Sequence, residues 1–375
     1  KVVAFLKQFG ENLGLETIVD KVGNVIIRKP ATPGYEDRMG VVLQAHVDMV
    51  PQKNSDKVHD FEKDPIETRI EDGWVKANGT TLGADNGVGA AAAMAVLEAT
   101  DLVHGPIEGL FTIDEETGMT GANALEPGVL KGDILINMDS ETEGELYVGC
   151  AGGIDTCGYF TPKFEDVPAG SKAFQLIVKG LKGGHSGMDI ILGRANANKV
   201  MNALLLKATE KFNARVADIQ GGSLRNAIPR ESFVTITVPE AKAEELLAYV
   251  PEFEAVVKEQ FAAVEPEMSI TVVPAEMPAK VIDKETIAKV IEAVAKYPNG
   301  VIAMSKDFEG TVETSSNLAI VKLVDGQIMT ASLQRSLVDA SKDELAAEMR
   351  KLLESCGARA ESTGSYPGWK PNINS

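Results

Sequence analysis

Residues 39–50 read MGVVLQAHVDMV. Such an apolar run predicts a buried strand, and its end carries His46 and Asp48 two positions apart. Side chains at i and i+2 of a strand share a face, so this strand delivers an imidazole and a carboxylate together. The neighbouring sequence supplies a sheet around it. VVAFLKQFGENLG reads as a helix, VGNVIIRKP as a strand and NGVGAAAAMAVLEATD as a helix of small residues. GPIEGLFTID and KGDILINMD read as further strands. Alternation of this kind predicts an α/β layered sheet with helices packed on it.

In open α/β sheets, sites form beyond the carboxyl ends of the strands. Here those ends are acidic. Asp85 lies in LGADNGVG before the Ala-rich helix, Glu115 and Glu116 follow FTID, and Asp139 closes DILINMD. Four carboxylates around one imidazole would oppose one another's ionisation. A divalent cation removes that conflict. Histidine mixed with carboxylates suits zinc, manganese or cobalt, whereas calcium takes oxygen alone. Adjacent Glu115 and Glu116 diverge, so one can ligate while its neighbour serves as a general base. Asp85, at a helix N-terminus, suits a bridging position between two ions. Asp48 would accept a hydrogen bond from the His46 ring and fix its tautomer. Two such ions activate water and polarise a carbonyl, which is hydrolase chemistry. His59 and His104 lack comparable surroundings and read as structural.

After CAGGIDTCGYF the character changes. AFQLIVKGLKGG and ESFVTITVP read as strands, while NANKVMNALLLKATEKF and KAEELLAYVPEFEAVVKEQFAAV are amphipathic helices. IAKVIEAVAKYPNG, GQIMTASLQRSLVD and KDELAAEMRKLLESCGA then give helix, strand and helix, a second α+β unit. Two domains also fit the 375-residue length. The net charge of −18 argues against nucleic acid and anionic membranes, which need a basic patch. No apolar run approaches the roughly 20 residues of a membrane span. Three cysteines without a CxxC fit a reducing compartment, and with no secretory signal at the start the reading is cytoplasmic. The first residue is Lys1 rather than Met, which reads as a start with residues missing.

The succession HVD, LGADNG, DEETG and NMDSE resembles the M20-type dizinc metallopeptidases. Longer stretches, VLQAHVDMVPQK, KANGTTLGADNGVG, LYVGCAGGID, GLKGGHSG, GGSLRNAIPRE and SYPGW, narrow the resemblance to that family's Xaa-His dipeptidases, from about residue 15 onward. The resemblance implies a zinc-peptidase-like α/β catalytic domain in residues 1–152 with an inserted α+β lid in 153–367, through which the protein would form a homodimer. Residues 368–375 would begin the returning catalytic segment. His46, Asp85, Glu116 and Asp139 would hold two divalent ions, zinc first, with Asp85 bridging. Glu115 would be the general base, and Asp48 would orient His46. In the lid, His185 would stabilise an oxyanion, and Asn226 and Arg335 would hold the substrate. An Arg fork suits the substrate's carboxylate. The implied activity is hydrolysis of small peptides, Xaa-His dipeptides and β-alanyl-histidine among them. A deacylase or tripeptidase of the same family is the alternative.

That family's pattern also includes a histidine ligand after the lid, whereas the last histidine here is His185. The resemblance therefore implies a fragment that is not fully active by itself. Two readings from other classes compete. GGHSGMD is a near miss to the GxSxG nucleophile motif, with Met188 where the final Gly belongs. A serine hydrolase would ignore chelators. A non-catalytic scaffold on the same fold would have lost the base or the bridging acid, yet Glu115 and Asp85 are both present.

Overall fold

Helix α1 (Val2–Asn12) leads into the hairpin β1 (Glu16–Val19) and β2 (Val25–Lys29), and then β3 (Val41–His46) follows. This is the order in the computed structural model, which describes residues 1–53, 57–140 and 144–372. The chain divides into two units, Lys1–Tyr147 and Val148–Ser375. The first continues through β4 (Thr68–Glu71), β5 (Trp74–Ala77), α2 (Ala84–Glu98), β6 (Ile107–Thr112), the short helices α3 (Glu115–Gly118) and α4 (Thr120–Asn123), and β7 (Ile134–Asn137). Its main sheet has the order β1-β2-β6-β3-β7, with β3 parallel to both neighbours. Three parallel strands therefore end on one rim.

The period-2 geometry of these strands splits their apolar residues between two faces. Val25, Ile27, Leu43 and Phe111 pack with Leu6 of α1 and with Ala93 and Leu97 of α2. Ile26, Val42 and Leu110 face the other way, against Leu125, Val129 and Leu130. The apolar run around β3 thus serves two cores. The small residues of α2 have a local reason. Gly89, Ala93 and Leu97, four apart, form its buried stripe. A Cβ on Gly89 would stand 2.8 Å from the Met138 carbonyl oxygen, so only glycine lets α2 pass so close to the segment bearing Asp139.

One buried acid sits at the opposite end of the sheet. Glu108 of β6 pairs with Arg28 of β2 at 2.8 Å and accepts from the Lys131 and Gly132 amides at 2.7 and 2.8 Å. Burial opposes its ionisation, but Arg28 and the two amides outweigh burial and hold its pKa below the ordinary value. A depressed pKa stabilises the fold above the unfolded-state value and is lost as pH falls through the folded value. Glu108→Gln is therefore expected to cost about 3 kcal/mol near neutrality, as for a broken buried pair. The deficit should shrink once the wild-type carboxylate is protonated. Urea unfolding at neutral and acid pH would check this, and a deficit independent of pH would contradict it.

The hairpin β4–β5 turns at Asp72–Gly73, both with positive φ (54° and 80°), the geometry of a tight two-residue turn. It leaves Ile70 and Trp74 largely exposed. Strand β7 lies at the sheet edge, and its Ile134, Leu135 and Ile136 are exposed as well.

The second unit is built on a nine-stranded antiparallel sheet. Its strands are β8 (Gly152–Phe160), β10 (Ser171–Lys179), β12 (Arg215–Gly221), β14 (Ser232–Pro239), β15 (Ser269–Pro274), β17 (Gly300–Met304), β18 (Val312–Val324), β19 (Gln327–Ser336) and β20 (Arg359–Tyr366). The order is β15-β10-β14-β12-β18-β19-β8-β20, with β17 also on β18. Two small ladders stand apart: β9 (Phe164–Asp166) with β16 (Lys280–Ile282), and β11 (Gly184–His185) with β13 (Ala227–Ile228). Helices α5 (Ala197–Phe212), α6 (Glu240–Phe261), α7 (Lys284–Lys296) and α8 (Asp339–Ser355) complete the unit. Asn196 caps α5 by accepting from the amides of Asn198 and Lys199. Val200, Met201, Leu204, Leu205, Ala208 and Phe212 then recur at helical spacing and bury one face of α5 in the core. Trp369 pairs through its backbone with Cys150, each amide donating to the other's carbonyl. All three cysteines are free.

Candidate metal centre

The strand-end residues of the first unit converge. His46, the last residue of β3, is 1% exposed. Its Nε2 lies 2.9 Å from an Asp85 oxygen and 3.5 Å from an Asp139 oxygen. One ligand atom each of His46, Asp85 and Asp139 lie within 4.8 Å of one another, and so do atoms of His46, Glu115 and Glu116. Two overlapping groups therefore share the imidazole. Asp85 stands in the first turn of α2, after Gly83 in the left-handed region, and its bond to Asn86 is cis.

Asp48 does more than the spacing implies. The His46 Nδ1 is 3.1 Å from the Asp48 carbonyl and 3.4 Å from its carboxylate, so the nearer acceptor is backbone. The Asp48 carboxylate instead accepts from the amides of Glu115 and Glu116, both at 3.1 Å. One residue thus holds the imidazole and also fixes the turn that carries both glutamates. Charge-assisted bonds of this kind are roughly twice as strong as neutral ones.

The electrostatics are those of a site short of positive charge. Burial raises the pKa of Glu115 and Glu116, and neighbouring acids raise it further. Asp85 is pushed up by burial and by Asp139, while the hydrogen bond from His46 holds Asp139 down. Burial opposes a charged His46, yet Asp139 and Asp85 outweigh it and push its pKa up to about 10. A cluster that draws in a proton to balance its acids has the donor set for a divalent cation, which supplies that charge without one.

His59 and His104 stand apart from this group. His59 is buried edge-on to Phe61, and the His104 Nδ1 lies 2.7 Å from the Gly105 carbonyl.

In the second unit, three further positions lie together. His185 pairs with Ala227 across β11–β13, and the Ser186 amide donates to the Asn226 carbonyl. The His185 Nε2 lies 3.4 Å from Arg335 Nη2. The Asn226 side chain is exposed and makes no hydrogen bond among the described residues. Ser186 is 1% exposed, and its hydroxyl has no partner among those residues, whereas a serine nucleophile is activated by a base within hydrogen-bond reach. Glu141 of the NMDSE stretch and residues 373–375 of the expected returning segment lie outside the described residues.

The family model for peptidase family M20/M25/M40 matches residues 42–326. The chain belongs to that family. As an M20 peptidase it is a hydrolase acting on peptide bonds, with a mixed α/β fold. The cytosol non-specific dipeptidase of Escherichia coli (strain K12) is 46% identical over 378 residues, covering 100% of this chain and 77% of that protein. The crystal structure of aminoacylhistidine dipeptidase from Vibrio alginolyticus aligns with TM-score 0.77 and 45% identity, over 100% of this chain and 76% of that one.

The sequence reading missed two features of this M20 peptidase. The bonds from the Glu115 and Glu116 amides to Asp48 join residues 67 and 68 positions apart, beyond any local pattern. Tyr366 lies inside SYPGW, a stretch that carried resemblance but suggested no role. Its hydroxyl is 3.1 Å from Arg335 Nη1.

Proposed function

We propose that this M20 peptidase is a metal-dependent dipeptidase that prefers Xaa-His dipeptides, β-alanyl-histidine among them. His46, Asp85, Glu116 and Asp139 would hold two divalent ions, with Asp85 between them. Zinc comes first, and manganese or cobalt suit the same donors. When bound, the ions lower the pKa of water and polarise the scissile carbonyl. Glu115 would take the proton from the attacking water and pass it to the leaving amine. Burial and the surrounding acids raise its pKa, which suits a base that must also release a proton. Asp48 keeps both glutamates and the imidazole in place.

Residues 153–367 are read as an inserted lid. There His185 would stabilise the oxyanion, Asn226 would hold the substrate, and Arg335 would take its terminal carboxylate. A single distance supports a dipeptide over a longer substrate: the 3.4 Å between His185 Nε2 and Arg335 Nη2. Neighbouring donors can serve a scissile carbonyl and a carboxylate that are one residue apart. A tripeptide would carry its carboxylate about 3.5 Å further along the chain. The names of the two relatives favour the same substrate class. The resemblance also carries a homodimer formed through the lid and a cytoplasmic setting. Among the described residues, no helix is long and apolar enough to cross a membrane.

The test is a substrate panel with and without added zinc: β-alanyl-histidine, several Xaa-His dipeptides, dipeptides without histidine, tripeptides and N-acyl amino acids. Xaa-His turnover at least tenfold above other dipeptides is expected, with tripeptides poorer still. Equal rates across dipeptides would remove the histidine preference. Turnover confined to tripeptides or acylated amino acids would overturn the dipeptidase reading.

A further inference from the structure

Arg335 sits in a row of three residues across three strands. It is the register partner of Gly153 on β8, and Gly153 is the partner of Tyr366 on β20. The middle position has to be glycine. A Cβ there would stand 2.5 Å from the Cζ and hydroxyl of Tyr366, so the phenol lies directly over Gly153 and reaches the guanidinium beyond it. Arg335 Nη1 donates to the Tyr366 hydroxyl at 3.1 Å.

The phenol is held from behind as well. The register of β20 breaks between Thr363 and Tyr366, which re-aims the side chain as bulges do. The Tyr366 carbonyl accepts from the Lys342 ammonium at 2.9 Å, and Lys342 is a lysine of α8 only 3% exposed. Burying an ammonium is costly, and this one is spent on fixing Tyr366 and pairing with Asp339 at 3.1 Å.

On the other side of the guanidinium stands His185. Its Nδ1 accepts from the amides of Gly187 and Met188 at 3.3 and 3.2 Å. The neutral ring therefore carries its proton on Nε2, the atom facing Arg335 Nη2. Burial and the adjacent guanidinium lower the His185 pKa and keep the ring neutral. Nε2–H and Nη2–H thus face each other as two donors with no acceptor between them. The Tyr366 hydroxyl is a third donor. It accepts from Arg335, and its own proton has no acceptor among the described residues. The nearby acid, Asp155, is already paired with Arg225 at 2.9 Å. Donors gathered without an acceptor mark the place of an anion.

We propose that Tyr366 binds the substrate directly, its phenol O–H joining the Arg335 guanidinium on the terminal carboxylate of the peptide. This rests on the reading of Arg335 given above, and it adds a residue and a geometry to that reading. The carboxylate would lie along the Nη1 edge, between guanidinium and phenol, which leaves Nε2–H of His185 for the neighbouring carbonyl oxygen. A neutral donor suits that place, because beside the guanidinium a second cation would be repelled.

The test compares L-histidine with L-histidinamide, which differ only in the carboxylate, by calorimetric binding to the zinc-loaded protein. Wild type, Tyr366→Phe and Arg335→Gln are measured, each checked for an unchanged melting temperature. Tyr366→Phe removes one oxygen and leaves the ring over Gly153. It is expected to weaken histidine about tenfold, the loss of a hydrogen bond to a charged group, and to leave the amide unchanged. A purely structural role would weaken both ligands alike, and that result overturns the proposal. So does an unchanged histidine affinity in Tyr366→Phe. If Arg335→Gln abolishes discrimination in that case, the reading of Arg335 survives without Tyr366. A wild type that binds both ligands alike, or neither, removes the carboxylate site altogether and the proposal with it. Should Tyr366→Phe melt early, Gly153→Ala, which displaces the phenol but keeps its hydroxyl, is expected to give the same selective loss.

Discussion

Glu115→Gln is expected to lower kcat by about 10²–10⁴-fold, the range a positioned general base contributes. The substitution preserves shape and hydrogen-bonding capacity but removes the basic oxygen. The backbone should stay in place, because the bond that fixes this turn runs from the Glu115 amide to Asp48 and involves no atom of the Glu115 side chain. The result discriminates between the two glutamates, which both place a ligand atom within 4.8 Å of His46. If Glu115 is the base, Glu115→Gln keeps its full metal content and loses turnover, while Glu116→Gln loses metal. Metal analysis beside steady-state kinetics reads both. A Glu115→Gln protein that retains a tenth or more of its kcat, or that loses metal in proportion to activity, would exchange the two assignments.

Stripping the protein with a chelator is expected to abolish turnover, and added zinc should restore it. The physical reason lies in the charge balance around His46. Without a cation, Asp85, Glu115 and Glu116 are each pushed toward protonation, and His46 is held protonated by Asp139 and Asp85. A protonated imidazole cannot ligate, and protonated acids make poor ligands and poor bases. Stability should fall along with activity. An ion present at 100 to 1,000 times its dissociation constant contributes about 2.7–4.1 kcal/mol to the folded state, and its removal should lower the melting temperature by several degrees. Calorimetric melting of the stripped and reloaded protein measures this. Turnover indifferent to chelation would exclude the metal mechanism.

What the sequence displays of this site follows from the sheet. His46 ends a strand, Asp139 stands just past one, and Asp85, Glu115 and Glu116 stand at the start of helices. Three of those strands, β3, β6 and β7, are parallel neighbours, so their carboxyl ends must share a rim. The convergence was legible because topology enforces it. Strand β18, VETSSNLAIVKLV, was not. Its Thr314, Ser315, Ser316 and Asn317 look like a polar loop yet are buried. The cost is met in part by partners elsewhere in the chain. Thr314 bonds Ser336 of β19, and the Asn317 amide donates to the Ala227 carbonyl. No window of sequence around residue 315 contains those partners. Hairpin β4–β5 was overlooked for the opposite reason: Ile70, Trp74 and Val75 would ordinarily predict a packed strand pair, yet they lie exposed. Tyr366 needed the register of β8, β19 and β20 before its hydroxyl acquired a neighbour.

The exposed Trp74 on that hairpin has an optical consequence. The chain holds two tryptophans, and the two units carry one each: Trp74 in the first, 71% exposed, and Trp369 in the second, 57% exposed. Both indoles are already bathed in solvent in the native state. Intrinsic fluorescence will therefore start near the long-wavelength limit and shift little on unfolding, which makes it a weak reporter of melting. For the same reason it is a sensitive reporter of coverage. Any event that dries the hairpin or the Trp369 segment should move the emission to the blue, and replacing either indole by phenylalanine tells which unit was covered.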